Sequence, residues 1–146
     1  VDDIDRAILK ELQSDGRIAY ADLGPKVGLS ASAARQRLQR LLDSKMVQVV
    51  GVTDPMAMGR QSMALLGISV DGDPRAVADE LAGCEEVVYM VLTAGPYDLF
   101  AEVVCRQPAD LLDLVNDVVR PIEGVTGVET FPYFSIHTHR FLWDVG

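Results

Sequence analysis

Residues 30–40, Ser-Ala-Ser-Ala-Ala-Arg-Gln-Arg-Leu-Gln-Arg, hold the densest group of hydrogen-bonding side chains in the 146-residue chain. A helix that enters the major groove of a duplex needs a small, polar first turn so that its backbone can approach. It then needs long donors that reach base edges and phosphates. Ser30, Ser32 and Ala33 supply the small turn, and Arg35, Gln36, Arg37, Gln39 and Arg40 supply the donors, with no acid until Asp43. Ser32, Gln36 and Arg37 are expected near bases and Arg40 near phosphate. Arg and Gln are also good helix formers on any solvated face, so the preceding elements must decide between the two readings.

Other chemistry finds little support. His137 and His139 are two apart, which in a strand puts both on one side. No Asp, Glu or Cys at fixed spacing completes a metal or haem site around them. A Gly-x-Ser-x-Gly elbow, a phosphate-cradling glycine loop and a His-Glu-x-x-His helix are all missing. Cys84 and Cys105 lack Cys-x-x-Cys spacing and are expected to be reduced thiols. No catalytic residue, metal or cofactor is therefore expected.

The elements before residue 30 favour DNA reading. Ile4, Ile8 and Leu12 fall at i, i+4 and i+8, with Leu9 widening the stripe, which predicts an amphipathic helix over 3–14 stopped by Asp15-Gly16. A second helix is expected over 20–27, kinked or shortened by Pro25 and ended by Gly28. Ser30 is a good N-cap for a third helix over 31–44 with Ala34, Leu38 and Leu41 on its buried face. Three helices with a tight Gly28-Leu29 corner before the last make a helix-turn-helix. The apolar run Met46–Val52 is expected to be a strand leading out of it.

Net charge is −9, but it is unevenly spread. Residues 1–50 carry eight Lys or Arg against seven Asp or Glu, while the remainder carries five against fifteen. One copy of a nearly neutral DNA-reading half binds phosphate weakly, which implies assembly. The acidic N-terminus is unlike a signal peptide, and no apolar run reaches about 18 residues. A cytoplasmic protein without membrane association is expected.

Past a linker at 53–60, the apolar period changes from helical to alternating at Ala64, Leu66, Ile68 and Val70. Residues 61–146 are expected to form one βαββαβ domain. Asp73 caps a helix from Pro74 with Val77 and Leu81 inward, and strands follow over 87–93 and 97–105. A helix over 108–119 buries Leu111, Val115 and Val118, and a last strand spans 128–138. Pro132 within it requires an edge position or a break. The fold class is α+β, with residues 1–52 as the helix-turn-helix domain.

The opening Asp2-Asp3-Ile4-Asp5-Arg6-Ala7-Ile8-Leu9-Lys10-Glu11-Leu12 resembles the first helix of feast/famine (Lrp/AsnC) transcriptional regulators. Val27-Gly28-Leu29-Ser30 with Arg37 and Arg40-Leu41 is similar to their recognition helix, and Gly95-Pro96-Tyr97-Asp98 to their Gly-x-Tyr-Asp turn. The resemblance spans the chain, with Ala31 and Ala33 standing where relatives often carry proline. It implies a winged helix-turn-helix joined to a ferredoxin-like βαββαβ sandwich. It also implies homodimers that assemble to octamers on double-stranded DNA. An amino acid or related effector is implied near Gly95, Pro96, Tyr97 and Asp98, with Thr130 a further candidate. The competing reading is an enzyme similar to siroheme decarboxylases, which share the architecture. A polar, small-headed recognition helix would be surplus there.

Overall fold

The computed structural model describes residues 1–146. The chain divides into two compact units, one of residues 1–52 with 138–146 and the other of residues 53–137. The last nine residues, expected in the second domain, thus group with the first. Within that unit the Gln13 side-chain amide donates to the Trp143 carbonyl at 3.1 Å.

In the first unit, α1 (Asp3–Ser14) opens on a reciprocal cap. The Asp5 N–H donates to the Asp2 carboxylate at 2.8 Å and the Asp2 N–H to the Asp5 carboxylate at 3.2 Å. Two N–H groups that no turn of helix can satisfy are thereby paired. Helix α2 (Tyr20–Lys26) contains Pro25 and ends one residue later, shorter than the expected span. Helix α3 (Ala31–Asp43) starts at Ser30, whose hydroxyl accepts the Ala33 N–H at 3.2 Å. Ile8 and Leu12 of α1, Leu23 of α2, and Ala34, Leu38 and Leu41 of α3 form one buried cluster.

The corner between α2 and α3 needs two glycines for different reasons. Gly28 adopts φ +71°, which L side chains rarely take. At Gly24 the constraint is proximity, since a Cβ would lie 2.7 Å from the Leu29 carbonyl oxygen and 3.0 Å from the Ala31 nitrogen.

The strand expected over Met46–Val52 is not formed. Val49, Val50 and Val52 are exposed, at 47%, 69% and 62%. A strand requires a neighbour to take its N–H and C=O groups, and none in this chain pairs with the segment. Apolar composition without a partner leaves an extended connector.

In the second unit, β1 (Ser62–Val70), β2 (Val87–Leu92), β3 (Leu99–Cys105) and β4 (Val125–Pro132) form one sheet in the order β2-β3-β1-β4. Every pairing is antiparallel. The crossovers are α4 (Pro74–Leu81) and α5 (Pro108–Asp113), the latter continued by a π-helical stretch over Leu114–Val119. This is the ferredoxin-like arrangement. Ala64, Leu66 and Ile68 of β1 and Leu99, Ala101, Val103 and Cys105 of β3 face the helices. Strand β4 is an edge strand that ends at Pro132, short of the expected residue 138. The Tyr133 N–H still donates to the Met63 carbonyl at 2.9 Å, so the Pro132 nitrogen lies on the open edge, where no donor is needed.

The π-helical continuation of α5 departs from the regular helix expected there. The Arg120 N–H donates to the Val115 carbonyl at 2.9 Å. Bonding five residues apart brings Leu114 and Val119 to the side where α-helical spacing placed Val118. Val119 is fully buried and Val118 is 40% exposed.

Gly24 yields a prediction with an unusual sign. Alanine in place of a helical glycine ordinarily stabilises by roughly 0.5–1 kcal/mol. Here the added methyl meets backbone, so Gly24→Ala should destabilise the first unit by about 1–3 kcal/mol in urea melts. A stabilised variant would show that the corner yields freely.

Candidate functional site

The stripe Ala34, Leu38 and Leu41 turns the rest of α3 outward. Ser30, Ser32, Arg35, Gln36, Gln39 and Arg40 are exposed and Ala33 is half-buried. An open groove of about 590 Å³ runs along this side, lined by Ala33, Gln36, Arg37, Gln39 and Arg40. Arg35 and Arg40 take part in no ion pair of the chain. Their charge is available to a partner. The Ser30 hydroxyl is used as the helix cap, and the Gln39 amide donates to Asp43 at 2.8 Å.

Arg37, expected near bases, has partners inside the protein. Its Nη1 donates to Asp2 Oδ2 at 2.5 Å and to Asp5 Oδ1 at 3.0 Å. Both carboxylates already serve the α1 cap, so one nitrogen joins the first turn of α1 to the middle of α3. Hydrogen bonding to Arg37, then the Asp5 N–H, holds the Asp2 carboxyl down at about 2. Hydrogen bonds that Arg37 donates to the same two carboxylates raise Arg37. The cap formed by Asp2 and Asp5 was not recognised in the sequence, and nothing local couples it to residue 37.

The second candidate region is the turn from β2 into β3. Gly95 adopts φ +119°. The Thr93 N–H donates to the Asp98 carbonyl at 2.9 Å and the Thr93 hydroxyl to the Tyr97 carbonyl at 2.7 Å. The Asp98 carboxylate accepts the Val70 N–H at 2.7 Å, and the Asp98 N–H donates to the Ile68 carbonyl at 2.9 Å. Asp98 therefore pins the turn to the end of β1. The Pro96 carbonyl accepts the Ser69 hydroxyl at 3.4 Å, adding a further tie to β1.

The Tyr97 ring lies over Gly67, where a Cβ would sit 2.9 Å from the ring. It meets Phe100 edge-on at 5.3 Å and Phe131 at 6.2 Å between centroids. Gly67 went unnoticed in the sequence because a strand glycine gives no local sign of the ring above it. Thr130 is not brought to this cluster. It pairs with Leu66, whose side chain is in the core, whereas Phe131 pairs with Leu65 and Phe100 with Gly67. Residues opposite each other share a face, so Thr130 faces the helices and the aromatic cluster the open side of the sheet.

Glu102 also belongs to that open side, and accepts the Tyr133 hydroxyl at 2.7 Å. Burial, then this hydrogen bond, pushes the Tyr133 phenol up. The strand on which the histidine argument rested ends at Pro132, so alternation does not carry His137 and His139 to a common side. The His139 ring instead packs on Phe141 at 4.4 Å. Cys84 and Cys105 are free thiols, both raised chiefly by desolvation.

Two measurements check this geometry. A carboxyl depressed in the folded state stabilises above its ordinary value and loses that effect as pH falls through the folded value. For Asp2 the ordinary value is 3.8 and the folded value about 2. The urea midpoint gap between wild type and Arg37→Gln should stay level from about pH 8 to 5 and close between about pH 4 and 2. A gap that closes near neutrality would assign it to another group. Gly67→Ala should destabilise the second unit by about 1–3 kcal/mol through the displaced ring. Relief is expected in a Tyr97→Leu background, and equal losses in both backgrounds would exclude the ring as the cause.

Family models match both parts of the chain. Residues 1–42 match the AsnC-type helix-turn-helix domain, and residues 63–142 match the Lrp/AsnC ligand binding domain. The HTH-type transcriptional regulator FL11 of Pyrococcus furiosus is 31% identical over 139 residues, covering 94% of this chain and 91% of its own. The regulatory protein AsnC of Escherichia coli is 27% identical over 134 residues, covering 89% and 88%. The crystal structure of the leucine response regulatory protein LrpA of Mycobacterium tuberculosis superposes with a TM-score of 0.89 at 26% identity, over 99% of each chain. A DNA-binding helix-turn-helix followed by a ligand-binding ferredoxin-like domain makes this chain a transcriptional regulator of the Lrp/AsnC (feast/famine) family.

Proposed function

We propose that the exposed side of α3 reads base edges of double-stranded DNA through Ser32 and Gln36, with Arg35 and Arg40 on phosphate. Ser30 and Ala33 allow the helix start to approach, and Gln39 lies on the same side. The observation that carries the reading is the pair Arg35 and Arg40, exposed on one helix and without an internal acid partner. Unpaired guanidinium groups beside small residues and amides suit phosphate positioning together with base readout.

The effector is an amino acid or related small molecule that binds beside the Gly95–Asp98 turn. Backbone approach is open at Gly95, and Tyr97 offers an aromatic wall. Asp98 acts by holding the turn, as its bond to Val70 supports. Two copies pair through the open side of the sheet, where Tyr89 and Phe131 are exposed, and dimers assemble further to an octamer. Pairing doubles the cationic contacts of a DNA-reading half that is nearly neutral as one copy. The protein acts in the cytoplasm as a regulator and not as an enzyme.

A ligand that binds two assemblies unequally shifts their populations and DNA affinity together. Gel-shift titrations over a range of salt test the DNA reading. Arg40→Ala should weaken binding and lower the slope of log affinity against log salt by about 0.9 for each phosphate that each copy no longer neutralises. An unchanged slope would remove Arg40 from the interface. In parallel, sedimentation with and without a pool of amino acids should change the oligomer distribution. Identical distributions and identical DNA affinity would defeat the effector reading.

A further inference from the structure

Arg37 lies on the same helix as Arg35 and Arg40 and lines the groove with Arg40, yet its surroundings are different. Its side chain is 25% exposed and the Asp5 side chain 16%. Each acid divides its two oxygens, one for the cap of α1 and one for Arg37 Nη1. Both oxygens of each acid are thus engaged within the protein, with Arg37 Nη1 shared between them. The only other ion pair of the helix-turn-helix, between Lys26 and Glu11 at 2.6 Å, ties α2 to α1. The Arg37 network is the polar tie between α1 and α3.

Two charges are also at stake. Asp2 and Asp5 are carboxylates next to the helix that meets phosphate, and a carboxylate there would repel it. Arg37 is the cation that offsets them. Removing one of its partners therefore has opposite effects under the two roles open to Arg37. If Arg37 binds DNA and the acids compete for it, losing an acid strengthens binding. If Arg37 orients α3 through the acids, losing an acid weakens specific binding even though a repulsive charge has gone.

We propose that Arg37 is a positioning residue. By bridging Asp2 and Asp5 it sets the placement of α3 against α1, and it does not itself hold DNA. This rests on α3 being the DNA-reading helix, and the Arg40→Ala salt slope tests that point separately.

The experiment uses the full-length protein, a duplex selected from a random pool by the wild type, and an alternating duplex as non-specific competitor. Asp5→Asn retains the Asp2 cap and an acceptor for the Asp2 N–H. It should weaken the selected duplex on the order of tenfold, with non-specific binding level or raised. Arg37→Gln should weaken it similarly with an unchanged salt slope, and the double variant should be no weaker than the worse single one. Arg37→Lys, which keeps a cation between the carboxylates, should recover most of the loss. Unchanged or tighter specific binding by Asp5→Asn would overturn the proposal. So would a slope lowered by about 0.9 per copy in Arg37→Gln. If Gln disrupts folding, Asp5→Asn decides: weaker specific binding supports positioning, whereas unchanged or tighter specific binding overturns it.

Discussion

Burial of one stripe of α3 is the constraint on which DNA reading depends. Ala34, Leu38 and Leu41 insert among Ile8, Leu12 and Leu23, and this small cluster is the core of the helix-turn-helix. A core of that size leaves little surplus stability. Its orientation is reinforced by close backbone packing at Gly24 and by polar ties from α1 to both other helices. On the outward side of α3, Arg35 and Arg40 are left without an internal acid partner.

The second unit solves a different problem with the same economy. Two helices cover one side of a four-stranded antiparallel sheet and leave the other side uncovered within the chain. The Gly95–Asp98 turn is locked to the end of β1 through backbone and carboxylate bonds, while Tyr97 rests in the notch at Gly67.

Much of the architecture was legible along the chain because periodicity and caps are local. The bounds of α1, the cap and start of α4, the Ser30 cap, and the inward residues of β1 all follow from spacing. The strand over 46–52 was not legible, since its apolar residues satisfied composition while its pairing depended on a neighbour. Val118 was misplaced on the buried stripe because the π-helical continuation of α5 changes the period on which the assignment rested.

The candidate sites divide along the same line. Residue types and spacing determined that residues 30–40 form a capped helix with a polar outer side, and that glycine and proline make a turn before Asp98. Only the tertiary structure decided which of those polar groups were committed. Arg35 and Arg40 look equivalent to Arg37 in one dimension, but Asp2 and Asp5 reach Arg37 alone from over thirty residues away. Likewise Thr130 and Phe131 are adjacent in sequence and lie on opposite sides of the sheet. Local spacing determines which face of an element a residue occupies, whereas the partner it meets there is set by elements distant in the chain.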